Sequence, residues 1–433
     1  MMKKVLKYCL FILPALLIWA CHPEEPVVIR NETEWIDRPE GFDSRYELEQ
    51  MVVLSRHNIR TPLVGKGSVL SRLSDPSCQW FQWQDPASHL TAKGKRLEDK
   101  MGRFFREWLS EKDLIGNYAA NPASYRFYAN AKQRCQLTAR TFADAVFPGA
   151  NPEVEMNVEY DTMDPVFNPQ ITKLPAGFED KARKEIADMM GDLDRGVAAQ
   201  YALIENVIGI TNAPAYPDTS SFSQFPSSVG FKLNAEPYMT GGLKMACTVS
   251  DALVLQYYEQ LDVNKAAFGH TVGVAGWLDI ASVKEWYGDA LFTAPSVAVN
   301  VAHPLLQTML SEMQADGRVF SFLCGHDSNI GSVLAALGAE PYNLPGTIEK
   351  KTPIGSKVVI EKFKGKDGVE YADIWLVYAG TGQIRGENEL SYENPPLSFR
   401  VRLEGLTENA DHLYRLADVE QRFAQAIAAY DAL

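Results

Sequence analysis

Three times along the chain a short apolar run stops abruptly at charged residues. That repeated junction limits the fold more than any other feature. Met51-Val52-Val53-Leu54 gives way to Ser55-Arg56-His57-Asn58-Ile59-Arg60-Thr61-Pro62. Tyr125-Arg126-Phe127-Tyr128-Ala129 leads through Asn130 into a helical pattern whose apolar face includes Cys135, Phe142 and Val146, with Arg134 in its first turn. Residues 319–324 lead to Gly325-His326-Asp327-Ser328-Asn329, then to a helix from Ile330 through Leu337 that stops at Gly338. Continuous apolar runs suit strands buried on both faces. Strands that alternate with helices predict an α/β fold, a largely parallel sheet with helices on both faces. Ligands of such sheets bind in the crevice at the carboxyl ends of the strands. All three charged clusters fall there.

The residue types in these clusters point to phosphoryl chemistry. A cation in the first turn of a helix, as at Arg134, faces the positive end of the helix dipole. Arg56, Arg60 and Arg134 gathered at one crevice would repel one another unless an anion lay between them, and phosphate matches guanidinium geometry with paired hydrogen bonds. His57 lies between two of these arginines. Cations lower an imidazole pKa, so His57 is expected to be neutral and able to attack phosphorus in line. His326 could donate to the non-bridging oxygens. Asp327 is the nearest carboxyl able to protonate a leaving alkoxide and later to activate water. A His-Asp pair after a strand is often structural, whereas Arg-His-x-x-Arg-x-Pro arises by chance on the order of once in a thousand such chains. No His or Cys spacing suggests zinc, and Asp161-Thr-Met-Asp164 stands alone, so a metal-free, cofactor-free mechanism is the simpler expectation.

Composition narrows the partners. The 433 residues carry a formal charge of −13, which repels nucleic acid and anionic membrane at long range. Residues 1–20 combine Lys3, Lys4 and Lys7 with an apolar run from Tyr8 to Ala20, too short to span a bilayer. The run ends Trp19-Ala20-Cys21, which resembles a bacterial lipoprotein signal with Cys21 as the lipidated residue; an ordinary signal peptide or an uncleaved anchor is the alternative. On that reading the protein is exported, touches membrane only through its N-terminal lipid, and lies on the periplasmic or cell-surface side of the outer membrane. Residues 21–47, rich in proline and acid, read as a flexible tether. Cys78, Cys135, Cys247 and Cys324 are too widely spaced to define disulfides and are expected to be buried free thiols.

Taken together, these motifs resemble the histidine acid phosphatase family, in the two-domain branch that includes bacterial glucose-1-phosphatases and periplasmic phytases. The family's Arg-His-Gly-x-Arg-x-Pro is similar to residues 56–62 here, with Asn58 in place of glycine as in the glucose-1-phosphatase subgroup. Gly-His-Asp-Ser-Asn-Ile at 325–330, Thr162-Met-Asp-Pro-Val-Phe-Asn-Pro169, Leu255-Gln-Tyr-Tyr-Glu259 and Thr352-Pro-Ile-Gly355 extend the likeness over about residues 48–430. The resemblance implies a nucleophilic His57, phosphate ligands Arg56, Arg60, Arg134 and His326, an acid/base Asp327 and no metal. It also implies an α/β domain from residues 48–165 and 291–433, with a mainly helical domain, 166–290, inserted between. Glu259 matches a cleft-facing position that would influence substrate choice, or is simply a carboxylate on a helix surface.

The expected activity is metal-independent hydrolysis of phosphate monoesters through a phosphohistidine, with sugar phosphates first and inositol polyphosphates second. The acidic chain favours the smaller, less charged substrate. A phosphohistidine mutase would share the Arg-His start but not the long insertion or the export signal. A phosphate-ester-binding lipoprotein would need the arginines but neither His57 nor Asp327.

Overall fold

The computed structural model describes residues 35–63 and 68–433. A short helix α1 (Phe42–Arg45) runs into the long strand β1 (Tyr46–Arg56). Helices α2 (Val69–Leu73) and α3 (Ala92–Glu111) precede β2 (Tyr125–Ala129) and α4 (Gln133–Val146). A mainly helical stretch follows, with α5 (Phe178–Met190), α6 (Ala198–Val207) and a small hairpin of β3 (Ser228–Gly230) and β4 (Tyr238–Thr240). It continues through α7 (Gly242–Glu259), α8 (Val263–Ala266) and α9 (Val274–Phe292). Helix α10 (Pro295–Met313) returns the chain to β5 (Phe320–Gly325) and α11 (Asp327–Ala336). The hairpin β6 (Lys357–Gly365) and β7 (Glu370–Tyr378) comes next, then α12 (Thr381–Gly386) and β8 (Leu397–Arg400). The last elements are β9 (Tyr414–Arg415) and α13 (Leu416–Asp431).

The main sheet has the order β2-β5-β1-β6-β7-β8, with β9 also on β7. Its core is parallel: β5 lies between β2 and β1 and runs with both. These are the three strands that end in the charged motifs. The rest is antiparallel and begins with β6 on the other side of β1. The hairpin turns at Lys366-Asp367-Gly368, where Gly368 adopts a positive φ of 80°.

Side-chain alternation explains why the core strands are apolar throughout. Met51 and Val53 join one hydrophobic cluster, Val52 and Leu54 the other, and so each face needs a cover. Helices α3 and α4 cover the first face with Phe104, Phe105, Ala139 and Phe142. Helices α11 and α13 cover the second with Val333, Leu334, Val419 and Phe423, joined by Leu305 and Met309 of α10. The apolar side of α7, including Leu253 and Tyr258, belongs to the first cluster, so the helical stretch and that face share one interior. We propose the division into 48–165 with 291–433 and an inserted 166–290 on the order of the elements, since no separate core marks it.

One expectation is corrected. Residues 35–47, read as the end of a tether, are docked on the body. The Trp35 ring meets Phe104 and Trp108 edge-on, with centroids 4.7 and 4.9 Å apart. Arg38 forms ion pairs with Glu361 and Asp373, and Phe42 is buried. The segment shows no apolar period because it is held by isolated anchors, the Trp35 and Phe42 rings and the Arg38 guanidinium, rather than by a repeating face. Residues 1–34, with the signal and Cys21, lie outside the described residues. Of the four cysteines after Cys21, all are free; Cys135, Cys247 and Cys324 are buried and Cys78 is half-buried.

Arg38 sits between two carboxylates that would otherwise repel, and burial already pushes the Glu361 carboxyl up to about 7. Removing one partner of a buried ion pair costs about 3 kcal/mol. Arg38→Ala is therefore expected to lower the urea midpoint by a corresponding amount. A midpoint equal to that of the unaltered protein would restore the tether reading for this segment.

Candidate active site

Strand register builds the site. Arg56 pairs with Gly325, and Ala129 with Cys324, so β1, β5 and β2 end level. The backbone N–H of His57 donates to Gly325 O at 3.0 Å, and that of Asn130 donates to Cys324 O at 2.9 Å. Each motif thus begins its turn beside the others. The His57 and His326 rings lie 5.5 Å apart, nearly edge to face. Helix α11 starts a turn earlier than its apolar pattern suggested, because Asn329 Oδ1 accepts the His326 N–H at 2.8 Å and caps the first turn. Gly325 makes that turn possible, since a Cβ there would come within 2.3 Å of Asn329 Oδ1.

The hydrogen-bond partners fix the form of both histidines. His57 Nδ1 lies 2.8 Å from Asn58 O, and a carbonyl only accepts, so Nδ1 carries the proton. Burial first, then Arg134, His326, Arg60 and Arg56, hold this imidazole well below its usual pKa. Its Nε2 is therefore an unprotonated nitrogen. Asn58 is tied down in turn: its Nδ2 donates to Glu98 and its Oδ1 accepts the Ile59 N–H. Across the pocket Asn130 Oδ1 accepts from Asp164 N, which leaves its Nδ2 to donate to His326 Nε2 at 2.8 Å. His326 then bears its proton on Nδ1, 3.5 Å from Arg134 Nη2. Two donors at that spacing can both donate to one anionic oxygen.

The arginines are partly neutralised by carboxylates that sequence reasoning missed. Arg56 is buried and donates to Glu349 Oε1 at 2.7 Å and to the carbonyl of Thr352. Arg60 grips Asp251 of α7 with both terminal nitrogens, at 2.9 and 3.0 Å. Among the described residues Arg134 has no carboxylate partner, and its buried Nε has no hydrogen bond. Lys284 of α9, also missed, approaches Asp327 at 2.8 Å and Asp251 at 3.4 Å. Asp327 keeps 35% of its side chain open. Desolvation works against its charge, but Lys284 and Arg56 outweigh it and hold the carboxyl well below the ordinary carboxylate range. Its place in the first turn of α11 adds the helix dipole to that effect.

Sequence reading had named Arg56, His57, Arg60, Arg134, His326 and Asp327, and the structure brings these six side chains together. It does not bring Glu259 to them. Glu259 Oε1 accepts from Thr91 Oγ1 at 2.8 Å, the residue that caps α3. Asp251 is the carboxylate on α7 that meets the cluster, and Glu259 lies eight residues on, about 12 Å farther along the helix. Nothing in the local pattern around Asp251, Lys284 or Glu349 distinguishes them from surface charges. Asn130 was visible only as the residue after a strand. Among the described residues no three His, Cys, Asp or Glu side chains converge as a metal site.

Residues 47–376 match the family described as the histidine phosphatase superfamily, branch 2. The chain belongs to that family. It is 35% identical over 393 residues to a glucose-1-phosphatase of Salmonella typhimurium, spanning 89% of this chain and 93% of the relative. A glucose-1-phosphatase of Providencia rettgeri is 33% identical over 390 residues, 88% of this chain and 92% of that protein. The phytase AppA of Escherichia coli is 24% identical over 401 residues. Among solved structures, apo Hafnia alvei phytase superposes with a TM-score of 0.80 at 22% identity, covering 90% of this chain and 98% of that one. This last likeness shows a shared fold. As a family member the chain is a phosphatase.

A test of the electrostatics follows directly. His57 is expected to stay neutral through and well below the ordinary imidazole range, so its ring signals should show no titration around the usual imidazole midpoint in NMR spectra of the ligand-free protein. An ordinary midpoint near 6.5 would show that burial and the arginines do not control it.

Proposed function

We propose that the protein is an acid phosphomonoesterase that hydrolyses sugar phosphates of the glucose 1-phosphate kind through a phosphohistidine intermediate. The observation that carries this reading is the His57 tautomer: Nδ1–H is bound to Asn58 O, and Nε2 is left unprotonated among phosphate-binding donors. On this reading Arg56, Arg60, Arg134 and His326 Nδ1–H hold the non-bridging oxygens and stabilise their charge in the transition state. His57 Nε2 attacks phosphorus in line as the P–O bond to the alcohol breaks. Asp327, in its protonated form, gives its proton to the departing oxygen. In the second step the Asp327 carboxylate takes a proton from water, whose oxygen displaces His57 and releases phosphate. A depressed carboxyl is protonated only in acid, so turnover of alkyl phosphates is expected to be greatest at acidic pH and to fall as pH rises.

The likeness to two glucose-1-phosphatases over most of both chains supports a sugar phosphate. Inositol polyphosphates are the second reading, supported by the more distant phytase. The Asp251, Glu349 and Asp327 carboxylates disfavour a substrate with several further phosphates. Export with lipidation at Cys21 is part of the same proposal and rests on the sequence of residues 1–21. No helix among the described residues is long and apolar enough to cross a membrane.

Phosphate release from sugar and inositol phosphates, with chelator present, tests the substrate class through the ratio of kcat/KM values; a higher value for inositol polyphosphates would reverse the order. His57→Ala is expected to remove turnover while leaving the thermal transition in place, and unchanged hydrolysis would refute the mechanism. Asp327→Asn should cost kcat/KM of alkyl phosphates at least 100-fold, about the usual minimum for a general acid, and lower kcat/KM of nitrophenyl phosphate far less, because that ratio reports formation of the phosphohistidine and this leaving group needs no proton. Equal losses on both would take Asp327 out of the role.

A further inference from the structure

Two parts of the chain grip the Asp327 carboxylate at once. Arg56 Nη2 reaches Oδ2 at 3.5 Å from the end of β1, and Lys284 Nζ reaches the same oxygen at 2.8 Å from α9. The two cations are not equivalent. Arg56 has a nearer partner in Glu349 at 2.7 Å, which offsets much of its field. The second partner of Lys284, Asp251, is farther away at 3.4 Å and is already bound by both terminal nitrogens of Arg60. Coulomb attraction falls with distance, so at Asp327 the ammonium outweighs the guanidinium.

We propose that Lys284 is a positioning residue for proton transfer, its ammonium anchoring the Asp327 carboxylate and setting the pH range in which that carboxyl serves as acid. The proposal rests on Asp327 being the proton donor. The other groups around Asp327 are Arg56 and His57 at the end of β1, Arg134 on α4, Asp251 and the Cys247 thiol on α7, Glu236 before β4, and the adjacent His326. The arginines favour its ionised form, and Asp251 and Glu236 oppose it. A bound phosphoryl group adds negative charge and raises the proton affinity of Asp327; Lys284 limits that rise. The helical stretch therefore acts on the chemistry without touching phosphorus.

The experiment is the pH profile of kcat on an alkyl phosphate and on nitrophenyl phosphate for Lys284→Met, Lys284→Gln and Lys284→Arg. Loss of an opposite charge at this distance moves a carboxyl by about one pH unit or more. The basic limb on the alkyl phosphate is expected to move up by that amount in the Met and Gln variants and to stay in place in the Arg variant. The basic limb on nitrophenyl phosphate should keep its position in all three, because that leaving group needs no proton and the second step uses the ionised carboxylate. A fall in rate at every pH, with the limb unmoved in both uncharged variants, would mean that Lys284 is only structural and would overturn the proposal. Asp327→Asn separates the two levels. If the alkyl phosphate limb survives in that variant, Asp327 is not the donor, and the functional reading of that residue fails first.

Discussion

Charge balance at the level ends of three parallel strands is the constraint on which the rest of the structure depends. Arg56, Arg60, Arg134 and Lys284 crowd one crevice, and cations so placed repel strongly where water is scarce. Glu349, Asp251 and Asp327 answer three of them at hydrogen-bond or ion-pair distance. Arg134 is left unmatched by any carboxylate among the described residues. The site is thus compensated enough to exist without a ligand and leaves one guanidinium, beside a histidine N–H, without a carboxylate partner. Sequence reasoning assigned the whole task of compensation to phosphate; the structure gives much of it to three carboxylates.

The division of labour follows the architecture. The sheet and the turns after its strands supply the groups proposed to act on phosphorus: His57, Arg56, Arg60 and His326, with Arg134 from the helix that follows β2. The helical stretch supplies Asp251 and Lys284, which hold Arg60 and Asp327. Because α7 shares an apolar cluster with α3 and α4, this grip is set by packing on the sheet and not by a loose contact between separate bodies.

Beneath His57 lies a second, fully buried layer. Lys357 and Glu98 are both inaccessible to solvent and pair at 2.9 Å, and Glu98 accepts from Asn58 Nδ2. Lys357 also donates to Ser55 Oγ and to Gly355 O. An isolated charge in such a place would be very costly, so the pair persists only because each member is bonded. Its effect is to hold Asn58, whose carbonyl orients the His57 ring. Gly355, with φ of 70°, belongs to the same device: a Cβ there would come within 2.7 Å of Asn58 Nδ2. Asn58 is therefore bonded through its backbone N–H, its carbonyl and both polar atoms of its side chain.

What could be read from the chain alone was whatever depends on local pattern. The runs at 51–54, 125–129 and 319–324 declared buried strands because both faces of a covered strand must be apolar. The apolar positions of α5 recur with the helical period, and the turn between β6 and β7 contains Asp-Gly, so both elements depend on local pattern in the same way. The six residues now gathered at the strand ends were legible because each lies next to such a run in sequence. Tertiary structure decided the rest. Asp251, Lys284 and Glu349 act across gaps of tens to hundreds of residues, and a solitary charge on a helix or loop looks the same whether it meets solvent or an arginine. Glu259 was left between a cleft position and a helix surface for the same reason, since which turn of a helix faces a site depends on how that helix packs. The docking of Trp35 and Arg38 likewise follows from partners distant in the chain. Sequence determines periodicity and neighbours along the backbone; only packing determines which charges come within reach of one another.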